Sequence, residues 1–243
     1  MQPQTTAALL IIGDEILTGK VQDQNTATLA RCLFRRGVAL RRVETVPDEI
    51  AEIAVALRRM SAAYTWVFTS GGIGPTHDDK TYEAVAQAFG RALAYDESVL
   101  ARMREHYEER GRGELNAARR RMALLPSGSD VLPVPALWVP VVVVENVYVL
   151  PGVPVMFERM LDAVADRFVG ERLHLVVLHT DAYEGDIAAA MEEAQRQNPT
   201  VRIGSYPQFR KSRECNVMVT LEGTDPTAVE ALADALLGPL SAR

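Results

Sequence analysis

Short apolar runs of strand length alternate along this chain with stretches in which apolar residues recur every three to four positions. Ala8 to Ile12 has the continuous hydrophobicity of a strand buried on both faces, and Gln24 to Arg36 then sets Ala27, Ala30, Leu33 and Phe34 on one helical face before Gly37 closes it. Val38 to Val46 returns as a strand. Pro47 and Asp48 open a second helix with Ile50, Ile53, Ala54 and Leu57 at helical spacing, and Trp66 to Thr69 follows as a third strand. This β-α-β-α-β order predicts a parallel sheet covered by helices, an α/β fold.

Helices are expected near Tyr82 to Phe89 and Glu97 to Arg110, followed by an arginine-rich segment ending at Leu125-Pro126. Val139 to Val144 and Val147 to Leu150 read as a strand pair turning at Glu145-Asn146, and a helix from Val155 to Phe168 carries Met156, Met160, Leu161 and Val164 inward. Gly170 ends this first domain, residues 1–170. In residues 171–243, Leu173 to His179, Ile187 to Gln197, Val201 to Tyr206, Cys215 to Leu221 and Thr227 to Leu237 give strand, helix, strand, strand, helix. That is a smaller α+β domain, whose last strand alternates as a one-face-covered antiparallel sheet requires.

Composition narrows the function classes. Of 243 residues, 48% are hydrophobic, enough for a real core, and 26 basic against 32 acidic residues leave a net charge of −6, which argues against nucleic acid as a partner. Two basic runs, Arg119 to Arg121 and Arg210, Lys211, Arg213, read either as solvated faces or as counter-charges for the phosphates of a small ligand. Cys32 and Cys215 form no C-x-x-C pair, so neither a disulfide framework nor a zinc site is signalled. The longest apolar run, Ala136 to Val144, is shorter than the ~18 residues of a membrane span and contains Pro140. With no signal-peptide pattern at Met1 to Thr6, the expected location is the cytoplasm, away from membranes.

The candidate chemistry lies at the strand ends, because ligands of open parallel sheets bind beyond the carboxyl ends of the strands. Trp66 to Thr81 reads WVFTSGGIGPTHDDKT: a strand, then Ser70, Gly71, Gly72, Gly74, Pro75 and Thr76, then His77, Asp78 and Asp79 before a helix. Glycines bring bare N–H groups close to a ligand, and a helix N-terminus adds partial positive charge, so an anion fits there. Two aspartates beside a phosphate call for a divalent cation between them, or else one serves as a helix cap. Neither a P-loop nor a dinucleotide fingerprint is present: Gly74 is followed by Pro75, and His77 stands where a third glycine is needed. After the first strand come Gly13, Asp14, Glu15, Thr18 and Gly19, with Asp23 and Asn25 opening the next helix. Asp48 follows the second strand, and Pro151 and Gly152 follow the later strand pair. Of the four histidines only His77 lies in the loop, to bond a phosphate or to face solvent.

The ordered motifs Gly13-Asp14-Glu15-Ile16-Leu17-Thr18-Gly19, Asp23 and Asn25, Asp48, Gly71 to Asp79 and Leu150-Pro151-Gly152 resemble the MoaB/Mog-type molybdopterin-binding domain, in the branch found in CinA proteins and at the N-terminus of eukaryotic FAD synthases. Ile203 to Pro207 resembles a strand-end motif of the same branch. The resemblance implies a three-layer α/β/α sandwich and a metal-dependent pyrophosphatase acting on ADP-ribose or FAD. It implies roles in the phosphate and Mg²⁺ chemistry for Asp48 and Asp79, which are the expected catalytic residues; the acids of the strand-end loops themselves, Asp14, Asp78 and Asp79, are expected to hold the divalent ion (Mg²⁺, Mn²⁺ or Co²⁺). The other strand-end residues would contact a phosphorylated pterin or dinucleotide, molybdopterin being one candidate; the alternative is a module that binds such a ligand without turnover. Ala136-Leu137-Trp138-Val139-Pro140 departs from the G-T-A-P-G segment usual in CinA and is closer to the FAD synthase form. Relatives in the superfamily form dimers or trimers, so a homo-oligomer is expected by analogy.

Overall fold

The structure is a computed structural model describing residues 5–111, 114–208 and 215–241. The run Arg210, Lys211, Arg213 lies outside the described residues. The chain divides into two compact units, Met1–Gly170 and Glu171–Arg243.

In the first unit, β1 (Thr6–Ile12) leads through a single turn, α1 (Asp14–Leu17), into α2 (Asn25–Phe34) and β2 (Ala39–Val46). Next come α3 (Ile50–Ala63), β3 (Trp66–Ser70), α4 (Thr81–Ala88), β4 (Leu93–Tyr95), α5 (Glu97–Glu109), α6 (Ala117–Arg121), β5 (Leu124–Pro126) and β6 (Asp130–Leu132). The hairpin β7 (Val141–Val144) and β8 (Val147–Val149) precedes α7 (Pro154–Val164) and a 3₁₀ turn, Ala165–Arg167. The sheet order is β2-β1-β3-β8-β7-β6. The pairs β2–β1, β1–β3 and β3–β8 are parallel, whereas β7 runs antiparallel to both neighbours. β4 and β5 pair separately. Helices α2 and α7 pack together, as do α3 and α4, giving the two helical layers of the α/β fold.

Burial explains the strand patterns. Ala7 to Ile12 are all buried, as a central strand covered on both faces must be, while edge strand β2 exposes Arg41 and Arg42. Phe168 anchors the core edge-on to Phe68 and Tyr148, each 4.9 Å away between ring centroids, and to Trp66 at 5.5 Å. Helix α2 presents a different face from the expected one. Ala27 is exposed, and Asn25, Leu29, Cys32 and Leu33 are buried, because the polar side chain of Asn25 turns inward to hydrogen-bond and carries its i+4 and i+7 neighbours with it. The helix expected to reach Phe168 ends at Val164, and Phe157, more than Met156, faces the core.

The second unit contains β9 (His174–Thr180), α8 (Glu184–Gln197), β10 (Arg202–Pro207), β11 (Val217–Gly223) and α9 (Pro226–Ser241). Its sheet is antiparallel, in the order β10-β11-β9. Val217, Val219 and Leu221 pack with Ile187, Val229, Leu232 and Leu236 in a core of their own. Among the described residues, no helix is long and apolar enough to cross a membrane.

Replacing Phe168 by Ala removes the ring that three other aromatics touch; unfolding in urea should show a loss of about 3–5 kcal/mol.

Candidate functional site

The chain leaves β1 for β2 on one side, then returns to place β3 on the other, so the loops after β1 and β3 diverge at the strand ends, the point at which an open parallel sheet forms its ligand crevice. At its floor the backbones meet closely. Gly71 has φ +116°, and a Cβ there would lie 2.1 Å from the carbonyl oxygen of Ile12. Gly72, at φ +65°, leaves room for Thr81, whose Oγ1 would be 2.4 Å from a Cβ. Thr81 donates its hydroxyl to the Gly71 carbonyl at 2.8 Å and its backbone N–H to that of Gly72 at 2.9 Å. The Gly71 N–H donates to Leu150 O at 3.2 Å, tying this loop to the end of β8.

Asn25 adds a second tie. It is 4% exposed, and its Nδ2 donates to Ser70 Oγ at 2.8 Å and to Gly152 O at 2.9 Å, so one amide joins the loops after β3 and β8. Asp23 accepts from the Asn25 N–H at 2.9 Å and the Thr26 N–H at 3.3 Å, which starts α2 and fixes Asn25 at its mouth. Asn25 Oδ1 and Thr26 Oγ1 are buried acceptors with no hydrogen-bond partner.

The acids divide into two groups. Asp48 Oδ2 accepts from the Asp14 N–H at 3.0 Å, and Lys80 Nζ donates to the Asp48 carbonyl at 2.9 Å. Partial burial pushes the Asp48 carboxyl above the usual aspartate range, against the opposing Asp14 N–H bond, and the charges of Asp14, Glu15 and Asp78 push in the same direction as burial. Asp79, in contrast, faces its own loop: its carboxylate accepts from the Gly74 N–H at 2.6 Å, the Thr76 N–H at 2.8 Å and the Thr76 hydroxyl at 2.5 Å. A Cβ on Gly74 would approach that carboxylate to 2.6 Å. Asp79 thus shapes the glycine loop directly.

The remaining predicted residues occupy the rim. Thr18 donates its hydroxyl to Asp14 O at 2.7 Å, and Gly19, at φ +70°, closes the turn after α1. Pro75, Thr76 and Gly152 are exposed and Pro151 is buried. His77 is exposed, with Nδ1 3.9 Å from Asp78 Oδ1. No three His, Cys, Asp or Glu side chains among the described residues form a ready metal cage. Sequence reasoning missed Lys80 and Thr81, although a lysine and a buried threonine at the helix start, directly after two acids, carried the signal.

With this geometry in hand, a family profile described as a probable molybdopterin binding domain matches residues 8–170, and one described as the FAD synthase middle domain matches residues 172–243. The chain belongs to the molybdopterin-binding domain family. A probable FAD synthase of Caenorhabditis elegans is 33% identical over 97% of this chain, which spans only half of that relative's length. A protein of Archaeoglobus fulgidus is 32% identical, covering 91% of this chain and 92% of its own. The crystal structure of CinA from Thermoplasma acidophilum, a protein described as of unknown function, superposes with a TM-score of 0.62 at 32% identity, over 68% of this chain and 99% of that one. The match to the family profile begins at β1 and ends at the close of the first unit, so it contains every strand end that lines the crevice.

Because folding raises the Asp48 pKa, the folded state disfavours its charge: the resulting penalty is absent below the unfolded-state pKa and develops as pH rises through the folded one. Asp48→Asn should therefore melt above the wild type at pH 7.5, with the gap closing toward pH 3, as read by thermal denaturation across pH.

Proposed function

We propose that the crevice binds a phosphorylated nucleotide or pterin and hydrolyses a phosphoanhydride within it, ADP-ribose and FAD being the substrate types. The supporting observation is the half-buried Asp48 carboxylate, held against the Asp14 N–H amid the charges of Asp14, Glu15 and Asp78, beside a loop rich in backbone amides. An acidic pocket next to an anion cradle is electrostatically unfavourable without a cation to join them.

The donor set is entirely oxygen, which fits Mg²⁺, Mn²⁺ or Co²⁺. Asp14 and Asp78 would hold the ion, Asp79 contributing only if it leaves its loop contacts, and phosphate oxygens and water would complete the shell. When bound, such an ion polarises a phosphoryl oxygen and lowers the pKa of a water.

The chain's own residues do the rest. Backbone N–H groups of Gly72 and Ile73, between the Gly71 and Gly74 amides that bond Leu150 and Asp79, orient one phosphate together with the N-terminus of α4. Asp48, whose carboxyl partial burial holds above the usual aspartate range, positions a water and accepts its proton. Lys80 offsets part of the acidic charge, and Asp79 keeps Gly74 and Thr76 in the cradle's shape.

A second reading is binding without turnover. It is favoured by the engagement of both Asp79 oxygens within their own loop, which removes one expected metal ligand.

Incubating the chain with FAD, ADP-ribose, NAD or an adenylylated pterin and each ion in turn, followed by mass spectrometry of the products, separates the two. Cleavage of one substrate is expected; a tightly bound ligand recovered intact with every ion overturns the hydrolytic reading. Asp48→Asn should lower kcat about 10²-fold or more with ligand affinity retained. Asp79→Asn should chiefly weaken binding, because an amide cannot accept all three loop donors through two oxygens.

A further inference from the structure

Three buried side-chain polar atoms among the described residues have no hydrogen-bond partner: Asn25 Oδ1, Thr26 Oγ1 and the Tyr82 hydroxyl. Two of them stand on consecutive residues at the start of α2, where Asn25 meets the loops that line the crevice. The Asn25 oxygen is locked in place. Both Nδ2 protons are spent on Ser70 Oγ and Gly152 O, and turning the amide over would set Oδ1 against the Gly152 carbonyl, acceptor against acceptor. Thr26 differs from the threonines around it. Thr18 and Thr28 donate their hydroxyls to the carbonyls four residues earlier, Asp14 O and Gln24 O, and Thr81 donates to Gly71 O. The carbonyl four residues before Thr26 is that of Gln22, ahead of the helix, and the Thr26 hydroxyl makes no such bond. Two buried oxygens left in this way disfavour the ligand-free fold.

The chemistry of the two atoms restricts what can satisfy them. Asn25 Oδ1 only accepts, whereas the Thr26 hydroxyl both donates and accepts, so together they match a group that gives a proton to Asn25 and takes one from Thr26. An alcohol does both. An ammonium or amide N–H only donates, and a phosphate dianion only accepts. Place then selects among alcohols. Ser70, which Asn25 bonds, stands two residues before Gly72 of the phosphate cradle, a chain distance of roughly 7 Å or less. That is the reach of a sugar esterified by a phosphate in the cradle. The ribose of the adenosine diphosphate unit, which FAD and ADP-ribose have in common, carries two such alcohols.

We propose that Asn25 Oδ1 and Thr26 Oγ1 bind a hydroxyl of that ribose and so select ribonucleotides over forms lacking it, an inference that rests on the crevice holding a phosphate but not on turnover. Calorimetric titration of the full chain with ADP and with 2′,3′-dideoxy-ADP, each with Mg²⁺, should show the wild type favouring ADP at least about tenfold. Thr26→Val keeps the shape of the side chain and removes its oxygen. Without ligand it should melt at or above the wild type, and its preference for ADP should fall at least about threefold below that of the wild type. Thr26→Ser retains the oxygen and should keep the preference. Equal wild-type affinity for both nucleotides overturns the proposal and leaves the phosphate reading standing, whereas binding of neither removes both. A Thr26→Val chain that keeps the wild-type preference, or that melts below the wild type as the loss of a resident water's partner would make it, overturns the proposal as well. If Thr26→Val does not fold, the wild-type comparison and Thr26→Ser decide.

Discussion

The backbone of Gly71 passes so close to the carbonyl of Ile12 that no side chain fits between them, and the architecture of the crevice follows from that approach. It holds the ends of β1 and β3 together where their loops must separate. Thr81 then reaches the Gly71 carbonyl, which fixes the start of α4, and the Gly71 N–H reaches Leu150, which fixes the end of β8. Glycine at this position serves the scaffold before it serves any ligand.

The fold was largely legible in the alternation of apolar runs and helical spacing, because long central elements such as β1 and α3 bury enough residues to set a clear period. Three-residue strands such as β4, β5 and β6 are too short to establish one, and their pairing is decided by contacts distant in sequence. The face of α2 was misread for a related reason. A hydrophobic count assigns Asn25 to the polar side, whereas two acceptors from other loops draw it inward.

For the crevice, residue type and order located the lining but not the division of labour. Asp48 and Asp79 look alike in sequence, each near a helix start. In three dimensions one caps a turn from another strand end within an acidic surround, and the other is satisfied by three donors from its own loop. The distinction depends on which N–H groups lie within 3 Å, and a linear pattern does not encode that. Lys80 was overlooked because its partner is a carbonyl 32 residues away.

The bridge made by Asn25 has an implication for how this crevice can diversify. A single carboxamide spans segments 45 and 127 residues distant along the chain, so neither loop can lengthen or shorten without displacing an anchor of the other. Grafting one of them alone from a homologue would break the span, while transplanting both with the intervening helix start would preserve it. The two loops therefore constitute a single inheritable module despite their separation in the polypeptide.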